Sequence, residues 1–96
     1  PVLKTNSNQR YATDGLSGAI IRELSRKSDI TFQDFVSRSD LACGTTIGPI
    51  SAAELGIRTA DIGNPMLSMH SVREQSSATD HLAMIKFLTT FFETNI

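Results

Sequence analysis

The sequence predicts an α/β fold with a largely parallel sheet, in the element order β-α-β-α-β-α-α. Two features predict it. Short apolar runs with strand-like composition recur along the chain, and segments with helical spacing of apolar residues separate them. Such alternation implies parallel strands joined by right-handed crossovers. With 96 residues, of which 40% are hydrophobic and 20% charged, the chain suits one small domain or a part of a larger one.

The first half of the chain predicts two strands around one helix. Residues 1–5 are short, apolar and partly β-branched, as in a strand. The helix begins with Thr13 or Asp14 as its N-cap, because both residue types accept hydrogen bonds from first-turn N–H groups. The apolar face of this helix is formed by Leu16, Ala19, Ile20, Ile21 and Leu24. Residues 30–36 then suit a second strand.

The next segment predicts a short helix followed by a third strand. Pro49 suits the first turn of a helix that runs to Leu55. Gly56 then suits the left-handed backbone position that commonly follows a helix. Residues 57–62 alternate between outward and inward positions, as in a strand of the same sheet.

The final segment predicts two helices. Residues 68–77 include a short helix after His70, and Thr79 or Asp80 caps a longer helix that follows. One face of the longer helix carries bulky apolar side chains that need a sheet or another partner to pack against. These side chains are Leu82, Ile85, Leu88, Phe91 and Phe92.

Composition excludes several classes of function. A formal charge of −1 and a pI near 6.1 give no general attraction to nucleic acid or to a membrane surface. No apolar run approaches the roughly 20 residues that span a bilayer. Cys43 is the single cysteine, which rules out an internal disulfide and fits a reducing compartment, so we expect a cytoplasmic protein.

Three loops follow the carboxyl ends of the predicted strands and should meet at one edge of a parallel sheet. They cover residues 6–13, 37–46 and 63–70. Together they would place a lysine, a tyrosine hydroxyl, a stretch of small residues at a helix start and a histidine around one cleft. The residues concerned are Lys4, Tyr11, Cys43, Gly44, Thr45, Thr46 and His70.

Most of these residues also have a structural explanation. A lysine such as Lys4 at a strand end is more often solvated than functional, and Tyr11 can simply shelter the sheet edge. The loop at residues 43–49 can be a tight loop whose glycines relieve backbone strain. Its N–H groups at a helix start can equally hold a carboxylate or a substrate backbone.

On residue type alone, His70 can be a metal ligand, a general base or a hydrogen-bonded structural histidine. A nucleophilic pair of Cys43 with His70 is disfavoured, because the spacing matches no thiol-protease signature. His81 lies near the start of a solvated helix face and is interpreted as a surface residue.

Four sequence blocks carry a more specific signal. They are residues 4–13 (KTNSNQRYAT), 38–50 (RSDLACGTTIGPI), 55–63 (LGIRTADIG) and 67–74 (LSMHSVRE). In this order and at these separations, they closely resemble the aspartyl aminopeptidases, the dinuclear zinc peptidases of the M18 family. The resemblance runs from Pro1 to about Phe92.

The resemblance implies a fold, a place in a larger enzyme and an activity. Residues 1–96 would be the C-terminal segment of the catalytic domain, a fragment of a three-layer zinc-peptidase domain of the phosphorylase/hydrolase-like kind. The upstream catalytic part and the inserted assembly domain would lie outside this sequence. The family removes N-terminal Asp or Glu from peptides, and the complete enzyme is expected to be a homo-oligomer without nucleic-acid or membrane partners.

The resemblance also implies roles for individual residues. His70 would be a metal ligand. Lys4 would bind the acidic side chain of the residue being removed, and Tyr11 would donate to the scissile carbonyl or its tetrahedral intermediate. Small residues that help to shape the pocket would be Gly44, Thr45 and Thr46. Arg73 and Glu74 belong to the last block, but the resemblance gives them no defined role.

Two zinc ions per complete site are implied, and this sequence supplies one ligand for them. The other ligands, a bridging carboxylate and a general-base glutamate would come from upstream sequence, so the segment alone is expected to be inactive. An alternative reading is a truncated, non-enzymatic paralogue that acts only as a binding or assembly module. A stand-alone α/β binding module is a third reading, and it predicts cooperative unfolding of the isolated chain.

Overall fold

The computed structural model describes residues 1–6, 11–36 and 47–95. Strands and helices alternate through most of these residues, which confirms the predicted α/β class. None of the helices in the described ranges is long and apolar enough to cross a membrane. The elements are β1 (Val2–Thr5), α1 (Gly15–Ser28), β2 (Gln33–Val36), α2 (Gly48–Leu55), β3 (Asp61–Gly63), β4 (Met66–Leu67), β5 (Gln75–Ser76) and α3 (Ala78–Glu93).

The first two strands pair as predicted. The larger sheet has the strand order β2-β1-β3, and β1 and β2 run parallel with Val2 opposite Gln33 and Thr5 opposite Val36. The connection between them passes through α1, which forms the helical crossover that parallel strands require. The second strand begins three residues later than the sequence pattern indicated, at Gln33.

The direction of the third strand differs from the prediction. β3 is antiparallel to β1, with Val2 opposite Gly63 and Lys4 opposite Asp61. The expectation of a largely parallel sheet was therefore wrong for this strand, and the strand is also shorter than the predicted residues 57–62. Apolar alternation marks a strand but does not encode its direction, because both kinds of ladder satisfy the backbone groups of an edge strand.

A capping box starts α1. Asp14 is the N-cap, one of the two predicted residues, and its carboxylate accepts the Ser17 backbone N–H at 2.7 Å. The Ser17 hydroxyl oxygen accepts the Asp14 backbone N–H at 2.9 Å in return. The bond from the Ser17 backbone also holds the pKa of Asp14 below its usual range. Arg26 and Lys27 occupy the last turn, where the helix dipole favours cations.

The short helix α2 follows its sequence signals. Pro49 lies in its first turn, where the missing N–H group costs no helical hydrogen bond. Gly56 follows the last residue with φ +63°, and its N–H donates to Ala52 at 2.9 Å. Glycine adopts this left-handed backbone without the steric cost that a Cβ atom brings.

The core is small and joins the sheet to two helices. Its fully buried hydrophobic side chains, among the described residues, are Leu3, Ile21, Leu24 and Phe87. They come from β1, α1 and α3, so these elements pack around one cluster. The Phe87 ring meets Phe32 edge-on with 4.7 Å between the ring centroids, an arrangement that aromatic quadrupoles favour.

The start and the packed face of α3 differ from the prediction. Ser77 is the N-cap and accepts the Thr79 backbone N–H at 3.1 Å, so Thr79 and Asp80 lie inside the first turn. Phe87, which the pattern left out, is the helix residue that is fully buried. Most of the predicted face is exposed, including Leu82, Ile85, Leu88 and Phe92. Apolar residues surround much of this helix, so its periodicity does not identify the side that meets α1.

The predicted short helix within residues 68–77 was wrong. The structure has a hairpin there, in which β4 and β5 pair antiparallel with Met66 opposite Ser76 and Leu67 opposite Gln75. Ser68 and His70 have φ of +56° and +70°. These left-handed residues turn the chain, and after His70 the residues Gln75 and Ser76 pair with β4 instead of forming a helix.

Replacing Phe87 by Ala should lower the free energy of unfolding by about 3–5 kcal/mol, because a large ring leaves a fully packed site. Urea denaturation followed by circular dichroism measures the loss. Phe92→Ala is the matched control, since the Phe92 side chain is 79% exposed and should cost about 0.5 kcal/mol or less. Equal losses in the two variants would contradict the assignment of Phe87 to the core.

Candidate functional site

Lys4 and Tyr11, two of the predicted substrate-binding residues, lie against each other. Lys4 Nζ stands over the Tyr11 ring, 5.7 Å from its centroid. Tyr11 meets Phe35 edge-on with 6.3 Å between the centroids, and Phe35 is the register partner of Lys4 on β2. The negative face of an aromatic ring attracts an ammonium. The cation and the two rings therefore form one unit, the Lys4–Tyr11–Phe35 cluster.

Gly63 provides the room that the Lys4 side chain occupies. A methyl group at Gly63 would stand 3.3 Å from both Cε and Nζ of Lys4, which is closer than the usual separation of non-bonded carbon atoms. Gly63 lies opposite Val2 across the antiparallel pair, so the Lys4 side chain leans diagonally over the end of β3. The missing side chain at Gly63 thus helps to set the position of the ammonium.

Asp61 ties the segment that carries Tyr11 to the sheet. Its carboxylate Oδ2 accepts the Ala12 backbone N–H at 2.6 Å, and its own backbone N–H donates to Thr13 Oγ1 at 2.8 Å. Both bonds are partly buried and join residues 49 and 48 positions apart. Sequence reasoning missed this pair of bonds, and the signal that could have found it is a charged residue in an otherwise apolar strand.

The Lys4 ammonium has no carboxylate within ion-pair distance in the part of the chain that the structure describes. Asp61 lies directly opposite on β3, but its carboxylate accepts the Ala12 N–H instead. Lys4 is also half-buried, so its charge is less screened than that of a fully solvated lysine. A partly desolvated cation attracts an incoming carboxylate more strongly than a surface cation does.

His70 lies on the turn that joins β4 to β5. The residue is exposed, and its backbone N–H donates to Glu74 Oε1 at 2.5 Å. The turn also contains a bond from the Ser71 N–H to the Ser68 carbonyl at 3.1 Å and one from the Arg73 N–H to Ser71 Oγ at 3.0 Å. Glu74 therefore has a structural role that the sequence did not indicate, since it holds the backbone of the histidine.

The grouping of His70 with the other loops assumed that β3 is parallel to β1, and this assumption was wrong. Because β3 is antiparallel to β1, its carboxyl end at Gly63 lies opposite Val2, at the end of the sheet where β1 begins. The loop to His70 thus starts from the opposite end to the loop after Thr5. Strand order alone therefore does not group His70 with the Lys4–Tyr11–Phe35 cluster, although the Lys4 ammonium leans towards Gly63, where the loop to His70 starts.

Several predicted residues lie outside the described ranges. These are Cys43, Gly44, Thr45 and Thr46, and their predicted place in the pocket stays a prediction. His81 lies in the first turns of α3 and is exposed, as expected of a surface residue.

His70 fits zinc as one ligand and not as a complete site. An exposed imidazole is a common zinc ligand, and a catalytic zinc takes about three protein ligands. Within residues 1–6, 11–36 and 47–95, no group of three or more His, Cys, Asp or Glu side chains could hold a metal ion. Any metal bound by His70 therefore needs donors beyond these residues.

Comparison with protein families identifies the relationship. Residues 1–92 match the model of the aminopeptidase I zinc metalloprotease family, M18. The chain belongs to the M18 family. This confirms the relationship that the four sequence blocks indicated. A probable M18 family aminopeptidase 2 of Ectopseudomonas mendocina (strain ymp) is 50% identical over 92 residues, which make up 96% of this chain and 21% of that relative.

Solved structures extend the similarity of this M18 chain to three dimensions. A chain in the cryo-EM structure of the Ape4 and Nbr1 complex has a TM-score of 0.90 and 44% identity, over 95% of this chain and 17% of that one. The S. cerevisiae mApe1 dodecamer gives a TM-score of 0.80 and 35% identity, over 96% of this chain and 19% of that one. The M18 chain thus spans about a fifth of the length of its curated relatives.

Replacing Gly63 by Ala should shift the Lys4 ammonium slightly relative to the Tyr11 ring without unfolding the chain, because the atoms in the way belong to the far end of a flexible side chain. The NMR signals of the Lys4 ε-methylene group should change position, because the ring-current effect of Tyr11 depends on the distance to the ring. Gly15→Ala is the control, since nothing lies within 4 Å of an added methyl group there. Unchanged Lys4 shifts in the Gly63 variant would contradict this view of the site.

Proposed function

We propose that this chain is the C-terminal segment of the catalytic domain of a zinc aminopeptidase that removes N-terminal Asp or Glu from peptides. Membership of the M18 family supports the peptidase class. The observation that carries the substrate preference is the half-buried Lys4 ammonium, which stands over an aromatic ring and has no carboxylate partner among the described residues. Such a cation is available to a carboxylate of the substrate.

In this proposal, Lys4 selects the residue to be removed. Its ammonium lies at a wall formed by Tyr11, Phe35 and the end of β3. An Asp or Glu side chain that reached this wall would gain a charge-assisted hydrogen bond, whereas a neutral side chain would leave the ammonium without an anionic partner. Discrimination of this kind needs the cation to be held in place, which contact with a rigid ring provides.

Tyr11 has a second role in the proposal. Its ring holds the Lys4 ammonium, and its hydroxyl group is the donor for the scissile carbonyl or for the oxyanion of the tetrahedral intermediate. Preorganised donors stabilise charge as it develops on such an oxygen. The small residues Gly44, Thr45 and Thr46 would complete the pocket wall.

His70 is proposed to donate one nitrogen ligand to the metal centre of the complete enzyme. When bound, zinc lowers the pKa of a coordinated water so that the water becomes a nucleophile at neutral pH. This chain's own part is to present the imidazole from the β4–β5 turn, where Glu74 holds the backbone N–H of His70. The remaining ligands and the general base would come from other parts of the complete polypeptide, so this segment alone would be inactive.

The complete enzyme is proposed to be a homo-oligomer. One similar solved structure is a dodecamer, and this supports assembly for the protein that contains this chain. A cytoplasmic location stays a prediction from the composition. The alternative, a truncated non-enzymatic paralogue that acts as a binding or assembly module, predicts a purified full-length protein without bound zinc and without peptidase activity.

Replacing His70 by Ala in the complete enzyme should remove nearly all activity and lower the bound zinc from about two ions to about one per subunit. The cause is the loss of one nitrogen ligand from an exposed turn, so the fold should persist. Metal analysis of the purified enzyme, together with circular dichroism, measures both effects.

His81→Ala is the control for this experiment, since His81 is an exposed histidine on α3. The control should keep wild-type zinc content and activity. Wild-type zinc content in the His70 variant would refute the proposed ligand role.

Replacing Lys4 by Ala in the complete enzyme should reduce the preference for N-terminal Asp over N-terminal Ala by on the order of 10- to 100-fold, the effect of losing one hydrogen bond to a charged group. The ratio of kcat/KM for matched aminoacyl substrates measures the preference. Lys86→Ala removes an exposed lysine on α3 and should leave the ratio unchanged. An unchanged ratio in the Lys4 variant would dispose of the proposed selection role.

A further inference from the structure

We infer that Asp61 is a positioning residue that holds Tyr11 against Lys4 and thereby sets the preference for acidic N-terminal residues. The inference rests on the proposed function of Lys4 and Tyr11. Asp61 would not touch the substrate. It would act through the two hydrogen bonds that join the start of β3 to residues 11–13.

The first bond acts directly on Tyr11. The N–H group of Ala12 belongs to the peptide unit whose carbonyl group is that of Tyr11, and this unit is planar. By accepting that N–H at 2.6 Å, the Asp61 carboxylate restrains the plane next to the Tyr11 Cα atom. This bond thus restrains the direction of the Tyr11 side chain relative to β3. Because β3 pairs with β1, it also restrains that direction relative to Lys4.

The second bond comes from the backbone of the same residue. The Asp61 N–H donates to Thr13 Oγ1 at 2.8 Å, and Thr13 is buried. Asp61 therefore holds Ala12 and Thr13, the two residues that follow Tyr11 in the sequence. Both bonds are partly buried, so water competes with them less than it does with bonds on an open surface.

The position of Asp61 has a consequence for the charge of Lys4. Residues directly opposite in an antiparallel pair have Cβ atoms roughly 4.5–5.5 Å apart, and Asp61 is the residue opposite Lys4. An aspartate there could neutralise the ammonium. Instead, the Asp61 carboxylate accepts the Ala12 N–H and makes no ion pair with Lys4, so the Lys4 ammonium can still pair with a carboxylate of the ligand.

The experiment compares Asp61→Ala with Asp61→Asn in the complete enzyme. For each variant, kcat/KM is measured with matched substrates that carry N-terminal Asp or N-terminal Ala. Asp61→Ala removes the acceptor for the Ala12 N–H, and the Asp-to-Ala preference should fall roughly 10- to 100-fold, as expected for a misplaced binding group. Asp61→Asn keeps an acceptor oxygen of the same reach, so most of the preference should return.

Two further variants complete the test. Asp34→Ala is the matched control, because the Asp34 carboxylate bonds to Arg22 on the exposed surface at 3.2 Å, and the preference should not change. Thr13→Val removes the second bond alone and should lower the preference in the same direction. It serves as the test variant if Asp61→Ala does not fold, and melting temperature and zinc content are recorded for every variant.

The outcomes separate this inference from the proposed function. Wild-type preference in Asp61→Ala with a lowered melting temperature would make Asp61 merely structural and would overturn the inference. Equal loss in the Asn and Ala variants would also overturn it, since the acceptor oxygen would then not be the cause. A wild-type enzyme that shows no preference for acidic residues would refute the proposed function itself, before any variant is compared.

Discussion

The alternation of side chains along β1 is the constraint on which the fold and the site both depend. Successive residues of a strand point to opposite faces, so Leu3 and Lys4 leave the sheet in opposite directions. Leu3 is 1% exposed and packs in the cluster with Phe87, whereas Lys4 stands over the Tyr11 ring. A slip of one residue in this strand would exchange the two. The core that fixes the register of β1 therefore also fixes the position of the ammonium.

Because β1 carries both Leu3 and Lys4, a small core that holds this strand is sufficient to order the site. Burial of Leu3 and Phe87 holds β1 against α1 and α3, and β1 is the central strand between β2 and β3. Phe35 and Asp61 are the partners of Lys4 on these two neighbours. Lys4, Phe35 and Asp61 thus come one from each strand, and the pairing of the sheet places them side by side.

Local signals in the sequence predicted the elements that depend on local interactions. Asp14 and Gly56 were placed correctly because a cap needs only the adjacent turn of backbone. The direction of β3 was not predictable, since an alternating run looks the same in either direction. The bonds of Asp61 were missed for a related reason, because they join residues 48 and 49 positions apart and no local pattern records such a contact.

The apolar pattern of α3 shows a different limit. Periodicity identifies apolar residues but not their partners, and Phe87 is buried while Phe92 is 79% exposed. Large apolar side chains in water are unfavourable by roughly 25 cal/mol for each Å² of exposed apolar surface. The chain spans about a fifth of the length of its curated relatives. The exposed apolar face of α3 agrees with the proposal of a larger catalytic domain, because such a domain has further surface that can cover this face.

The turn at His70 shows how Glu74, for which the sequence indicated no defined role, acts on the backbone of a neighbouring residue. A left-handed conformation is uncommon for a residue with a side chain, and both Ser68 and His70 adopt it. Such backbone persists where neighbouring contacts determine it, and the bond from the His70 N–H to Glu74 is one of these contacts. A turn ordered in advance loses less entropy when its imidazole binds a cation than a turn that must be ordered at that moment. Residues 67–74 therefore form one unit in which the carboxylate of Glu74 orders the backbone, as the proposed role of the His70 ring as a metal ligand requires.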